Sequence, residues 1–234
     1  MARRKKQPTP AERDEQLADQ IAVQQTSTGD TISDNQNLIF GILVGLVVLI
    51  GGYLAYKTFI VGPKEQKAIA EIYKAEQLFE RDSFGRALTN PGAGYPGFED
   101  VASEFSATPT GNLANYYAGI SYLNLGQFEA AISYLDDFDA EGEVLPIMKA
   151  GALGDAHSEL GNFDQALRYY KEAADTEENA VLTPYFLKKT ALLLEKQQQL
   201  SEAAEYYETI QREYPNSVEA RDIDKYLMRV GSTD

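Results

Sequence analysis

Residue types that do chemistry are scarce in this chain. It holds one histidine, His157, and no cysteine. That leaves no second histidine or cysteine to complete a transition-metal site. It also removes thiol catalysis, disulfides and cysteine-based zinc frameworks. His157 falls at an apolar-periodic helix position, which reads as a packed side chain rather than a base. Neither a G-x-x-x-x-G-K-[ST] phosphate loop nor a G-x-S-x-G nucleophile turn occurs. The nearest likeness to a metal loop is Asp137-Phe138-Asp139-Ala140-Glu141-Gly142, with the acid spacing and glycine that open a calcium loop. Its twelfth place is Met148, where the bidentate glutamate belongs. The run therefore reads as an acidic turn. Glu177-Glu178 and Lys188-Lys189 read as solvated faces. No catalytic, cofactor-binding or metal-binding group is expected, and the chain reads as a protein without enzymatic activity.

Charge narrows the partners. The net formal charge is −15. The segment through Asn37 carries five Lys/Arg and six Asp/Glu, whereas Lys57 to Asp234 carries 16 basic and 30 acidic residues, a net of −14. A domain so acidic does not hold nucleic acid by neutralising phosphates. Anionic lipid headgroups repel it as well. Proteins remain as the partner class.

Residues 1–36 are polar, rich in Gln, Thr, Asp and Ser, and read as a disordered tail. Only a transient amphipathic helix over Ala11–Gln25 is expected there. Leu38 to Tyr56 is then nineteen residues without a charge. As a helix it is ~28 Å long, close to the ~30 Å hydrocarbon core of a bilayer. In lipid the backbone must bond internally, which a single segment achieves only as a helix. Residues 37–61 therefore read as a transmembrane anchor. With 37 residues ahead of the apolar core and no A-x-A behind it, a cleaved signal peptide fits poorly. Phe40, Tyr53, Tyr56 and Phe59 lie toward the two ends, as interfacial aromatics do. Gly41 and Gly45 form a G-x-x-x-G, with Gly52 on nearly the same face. That spacing makes the anchor a candidate for helix–helix contact. Charge leaves topology divided. Arg3, Arg4, Lys5, Lys6 and Arg13 favour a cytoplasmic tail, but Lys57, Lys64 and Lys67 lie nearer the anchor and favour a cytoplasmic C-terminal side.

From Lys64 onward apolar residues recur at spacings of three and four, and no stretch alternates as a strand does. Gly62-Pro63 punctuates the exit from the anchor. LGQFEAAISYL (Leu125–Leu135) and LGNFDQALRYY (Leu160–Tyr170) are copies 35 residues apart. QQLSEAAEYYETI (Gln198–Ile210) is a weaker third. A helix precedes each copy: Asn112–Asn124, Ile147–Leu160 and Pro184–Lys196. Upstream, Lys64–Asp82 and Tyr95–Phe105 read as another pair split by a loop. That loop, Ser83–Gly94, contains Asn90-Pro91-Gly92-Ala93-Gly94 and is expected to be non-helical. Ser217–Val230 reads as a capping helix, with Glu219, Arg221, Asp222 and Lys225 toward water.

This pattern is similar to the tetratricopeptide repeat, whose period is ~34 residues. Ala118-Gly119 and Leu153-Gly154 resemble the L-G pair of its first helix, and Tyr122 and His157 take the following aromatic place. Ala131, Ala166 and Ala203 match the small residue of its second helix, where two helices cross closely. Leu135, Tyr170 and Tyr207 match the aromatic place beyond it, and Pro215 matches the closing proline. The third copy departs from the pattern, with Ala191 and Gln198 in place of the two glycines. The resemblance implies an all-α fold: a single N-terminal transmembrane helix, a helix-hairpin solenoid of about four repeat-like units, and a C-terminal capping helix. The helix pairs would be about 64–106, 112–140, 147–176 and 184–214, with the cap at 217–230, in a domain covering 62–234. It also implies a protein-binding groove lined by the first helix of each pair. The candidate groove residues are Tyr116, Ile120, Leu123 and Asn124; Asp155, Ser158 and Glu159; and Tyr185, Lys188, Leu192, Glu195 and Lys196.

The whole layout resembles the YfgM-like ancillary subunits of the SecYEG translocon, in their Bacteroidota type. RDSFGRALTNPGAGYPGFEDV, GNLANYYAGISYLNLGQFEAAISYL and YPNSVEARDIDKYL carry that likeness. It implies a non-catalytic scaffold in the bacterial inner membrane, with the tail cytoplasmic and the repeats periplasmic. Its partners would be the translocon, a periplasmic chaperone or an emerging secreted chain. The same fold equally serves scaffolds of cell-wall synthesis, division or outer-membrane biogenesis.

Overall fold

The structure is a computed structural model and describes residues 36–176 and 178–231. The polar tail, its basic residues and the Ala11–Gln25 stretch lie outside the described residues, as does Glu177.

The first unit contains α1, Gln36–Tyr56, whose described side chains are all exposed. Leu49, at the middle of the apolar run, is 72% exposed. An uninterrupted apolar surface of this kind suits a helix only in apolar surroundings. By length and composition α1 can cross a membrane. A Cβ added at Gly41, Gly45 or Gly52 meets no heavy atom within 4 Å, so this glycine face is open. A π-helical turn, Lys57–Val61, follows directly.

The second unit, Val61–Asp234, consists of helices joined by turns and loops, with no strand among its described residues. Its helices are α2 (Gly62–Phe79), α3 (Phe84–Thr89), α4 (Phe98–Glu104), α5 (Pro109–Asn124), α6 (Phe128–Asp137), α7 (Leu145–Glu159), α8 (Phe163–Asp175), α9 (Leu182–Lys196), α10 (Leu200–Glu213) and α11 (Ile223–Gly231). A 3₁₀ turn, Glu219–Asp222, leads into α11. Gly62-Pro63 does not break the helical run as expected. Pro63 sits in the first turn of α2, where a missing N–H leaves no bond unmade. Pro109 and Pro146 open α5 and α7 in the same way.

Successive helices pack as pairs: α5 with α6, α7 with α8, α9 with α10. Small residues set how closely each pair crosses. A Cβ on Gly119 would stand 2.6 Å from Leu135, and one on Gly154 would stand 2.5 Å from the Tyr170 ring. Ala191, at the same place in the third pair, is fully buried.

The turns repeat too. At α5–α6, Gly126 donates to Leu123 O (3.1 Å) and Gln127 to Tyr122 O (2.9 Å). At α7–α8, Gly161 donates to Ser158 O (3.1 Å) and Asn162 to His157 O (2.9 Å). This is the helix-ending motif that needs one left-handed residue.

The same turn closes α2, which corrects the expected loop over Ser83–Gly94. Asp82 has φ 55°, its N–H donates to Phe79 O (2.9 Å), and Ser83 donates to Leu78 O (2.8 Å). The chain then enters α3 at once. Asp82-x-Phe84-x-x-Ala87 repeats the offsets of Gly126-x-Phe128-x-x-Ala131, and Ala87 is fully buried like Ala131. Only Asn90–Gly97 breaks the helix, with Gly92, Ala93 and Gly94 at positive φ. The first hairpin is therefore α2 with α3 and α4, its second helix interrupted by an inserted turn.

The entry to α5 is built from several parts. Thr108 Oγ1 accepts from Gly111 N–H (3.0 Å) and donates to Phe105 O (2.8 Å). The Glu65 carboxylate accepts from both Thr110 N–H (3.0 Å) and its hydroxyl (2.8 Å). An acid at a helix N-terminus also suits the local dipole.

Candidate functional site

The first helices of the pairs, α2, α5, α7 and α9, carry the candidate surface. Neighbours among them touch directly: Tyr116 Oη of α5 donates to Met148 Sδ of α7 (3.8 Å). Asp155 of α7 pairs with Lys189 of α9 (2.5 Å).

The twelve expected residues divide by burial. Tyr116 is only 8% exposed, packed between Tyr117 and Phe138 at ring separations of 6.0 and 5.3 Å. Burial, followed by the charge of Tyr117, pushes its hydroxyl up to about 12. It braces α5 against α7 rather than facing solvent. Ile120 and Leu123 are half-buried, and Asn124 is exposed, its amide donating to Ile120 O (2.8 Å). In α7, Asp155 and Ser158 are half-buried and Glu159 is exposed. Asp155 accepts from Tyr170 Oη (2.7 Å) as well as from Lys189. Burial, then the Asp155 charge, raises the Tyr170 hydroxyl. Burial pulls the Lys189 ammonium down, but Asp155 and Tyr185 together outweigh it and raise it.

In α9, Tyr185 and Leu192 are exposed, at 42% and 38%. Lys188 pairs with Asp222 (3.1 Å) and lies 4.6 Å from the Tyr226 ring centroid. Glu195 accepts from Tyr207 Oη (3.1 Å) and pairs with Arg229 of α11. These two residues thus dock the C-terminal cap. Lys196 is exposed, with its ammonium 4.1 Å from the Phe163 ring centroid.

Repeat register exposes residues that sequence reading missed. Tyr185 corresponds in register to Met148, Leu113 and Ile69 on α7, α5 and α2. Met148 is 39% and Ile69 is 55% exposed. The repeat offset itself is the signal that could have found Ile69, Leu113 and Met148.

The acidic run at 137–142 is the turn from α6 to α7. Asp139 N–H donates to Asn112 Oδ1 (2.8 Å), and Asn112 Nδ2 donates back to Asp139 O (2.7 Å). Its backbone pins the turn to α5. His157 stacks on Tyr169, ring centroids 5.4 Å apart and nearly parallel.

Two models of the tetratricopeptide repeat match the chain, one at residues 113–140 and one at residues 152–218. The first covers most of α5 and all of α6, and the second covers the latter half of α7 together with α8 to α10. No curated protein matches the chain in sequence. The all-helical unit after α1 thus carries tetratricopeptide repeats, an architecture that presents surfaces to other proteins.

Proposed function

We propose that the chain is a non-catalytic scaffold, tethered to the bacterial inner membrane by α1, that binds protein partners along the first helices of its repeats. The observation that carries this reading is Met148 and Tyr185, which share a register row, with the neighbouring Leu192. These are apolar side chains left exposed on a tetratricopeptide solenoid, with Asn124, Glu159 and Lys196 as polar rim. Tyrosine and methionine offer large or adaptable contact area to a peptide. Tethering confines the scaffold to a plane and raises its effective concentration near membrane partners.

The particular assembly we propose is the Sec translocon, with the repeats contacting the pore, a chaperone or an emerging chain. Support comes from the likeness of Arg81–Val101, Gly111–Leu135 and Tyr214–Leu227 to ancillary translocon subunits. On the same ground the tail is cytoplasmic and the repeats periplasmic.

The test is photo-cross-linking in native membranes from positions 148 and 185 of the full chain, with exposed Glu172 as control. Translocon adducts at the first two positions and none at 172 are expected. Adducts equally abundant at 172 reject the groove, and a consistent adduct with a different envelope machine rejects the translocon assignment. A C-terminal alkaline phosphatase fusion reads topology, and an inactive fusion places the repeats in the cytoplasm.

A further inference from the structure

The repeats set a rule for the first helix of each pair. Positions 114, 118 and 121 of α5 are fully buried. So are Leu153 and Ala156 of α7 and Phe186, Thr190 and Leu193 of α9, all at 5% exposure or less. These positions face the preceding pair: Ala114 and Ala118 belong to the core cluster of α2 to α4, and the Tyr117 ring lies 5.0 Å from both Phe79 and Phe98. In α2 the corresponding residues are Ala70, Tyr73, Lys74 and Gln77. There Ala70 is exposed, Tyr73 is 59% exposed, and Lys74 and Gln77 are half-buried. Gln77 ties the face together, donating to Tyr73 Oη (2.8 Å) and accepting from Lys74 Nζ (3.3 Å). With Gln66 and Ile69, also exposed, this is a stacking face without a stacked neighbour among the described residues of its unit.

We infer that α2 of a second copy of this chain covers that face, making an isologous dimer. Three arguments choose a second copy. The face continues an interface the chain already makes in each later pair, so helix packing is its natural occupant. Gln66, Ile69, Ala70, Tyr73 and Gln77 are uncharged, and Lys74, in register with buried Ala118, is the one charge among these positions, its ammonium donating to Gln77. Two domains each carrying −14 repel elsewhere, and this patch is where they can meet. Finally, Ile69 and Tyr73 follow the anchor by the same short length of chain in both copies. Two molecules tethered in one membrane by that length of chain therefore meet at high effective concentration, and a two-fold axis lets each supply the same face. One helix face falls below the ~800 Å² per partner of a standard interface, so the dimer draws on the concentration that tethering supplies. To that extent the inference rests on the tethered reading above.

The chain has no cysteine, so single substitutions report proximity cleanly. Gln66→Cys and Ala70→Cys are introduced separately into the full chain in membranes and oxidised. Val218→Cys and Met228→Cys, at residues 66% and 67% exposed, are the controls. Disulfide-linked dimers should form about tenfold more at 66 and 70 than at the controls. Adding Tyr73→Glu to Ala70→Cys should lower the yield about tenfold, because the two-fold axis sets like charges opposite each other. Equal yields at all four positions overturn the inference. So do adducts of Ala70→Cys with another protein, or a yield indifferent to Tyr73→Glu. Alkaline extraction of the same membranes reads tethering separately. Release into the aqueous phase overturns the anchor, whereas a retained chain without dimers overturns the α2 contact alone.

Discussion

Gln198 holds the backbone that Gly161 holds one hairpin earlier, with φ 62° against 76°. It closes α9 with the same two bonds: Gln198 donates to Glu195 O and Gln199 to Leu194 O, both at 2.9 Å. A residue with a Cβ is about 1–2 kcal/mol less favourable there than glycine, while glycine gives back about 0.4–1 kcal/mol through its freer unfolded chain. Gln198→Gly should therefore stabilise the protein by about 0.5–1 kcal/mol, raising Tm by roughly 1–4 °C. Gly161→Ala should move Tm the other way. Calorimetry on the two variants checks the pair, and a lowered Tm for Gln198→Gly would contradict the strain.

Gly111 marks a different constraint, a close backbone approach. A Cβ there would lie 2.0 Å from Phe105 O, whereas one on Gly119 would meet the side chain of Leu135 at 2.6 Å. A leucine can shift, but the turn that delivers the chain into α5 cannot. Gly119→Ala should cost about 1–3 kcal/mol, the usual range for overpacking, and Gly111→Ala should cost more. Urea denaturation of the two variants orders them, and equal midpoints would refute the distinction.

Much of the fold was legible because the repeat writes itself into residue types. Gly119, Gly154, Ala131, Ala166 and Ala203 are small where helices cross, and that pattern makes the all-helical repeat architecture readable. The first hairpin was read wrongly for two physical reasons. Asp82 takes the left-handed place without being glycine, so the turn carries no obvious signature. The Asn90–Gly97 insertion then splits the second helix and hides its period. In the groove, spacing identifies which residues share a register but not which of them their neighbours bury. Tyr116 and Lys188 are equivalent by offset, yet one is buried on Phe138 and the other is half-buried beside Asp222. Charge pairing across repeats, as between Lys188 and Asp222, is invisible before the chain is folded.

His157 should give the solenoid a pH dependence of known sign. Its Nδ1 is buried with no partner among the described residues, and its ring stacks on Tyr169. Burial lowers its pKa, Arg168 lowers it further, and the Asp136 carboxylate opposes them only in part. A histidine whose folded pKa lies below the unfolded value of about 6.5 binds its proton more readily unfolded. Its contribution to stability is therefore whole above about pH 6.5 and declines as pH falls from there toward the folded pKa. His157→Phe keeps the stacking surface and removes the titration. Measured at a series of pH values from 7.5 to about 5, wild type should lose Tm relative to the variant as pH falls. Parallel curves would show that the imidazole does not titrate differently on folding.

Asp155 and Lys189 form the ion pair that joins α7 to α9, with side chains 33% and 24% exposed. Asp155 also accepts from Tyr170, and Lys189 lies 5.4 Å from the Tyr170 ring centroid and 5.1 Å from that of Tyr185. The pair is thus held in place by two neighbours, Tyr170 and Tyr185, rather than hanging in solvent. Arg212–Glu213 is the contrast, with side chains 65% and 51% exposed and adjacent in sequence. Exposed pairs contribute about 0–1 kcal/mol, whereas removing one member of a partly buried pair leaves the other charge with fewer partners. Lys189→Met should cost about 1–2 kcal/mol, and Asp155→Asn a similar amount. The double variant should cost less than their sum, because neither charge is then left without its mate. Arg212→Met should change stability by less than about 0.5 kcal/mol. A double-mutant cycle by urea denaturation reads the coupling. A coupling near zero at Asp155–Lys189 would mean that water already screens the link between the two repeats, leaving α9 held to α7 by the apolar contact of Phe186 against Gly151.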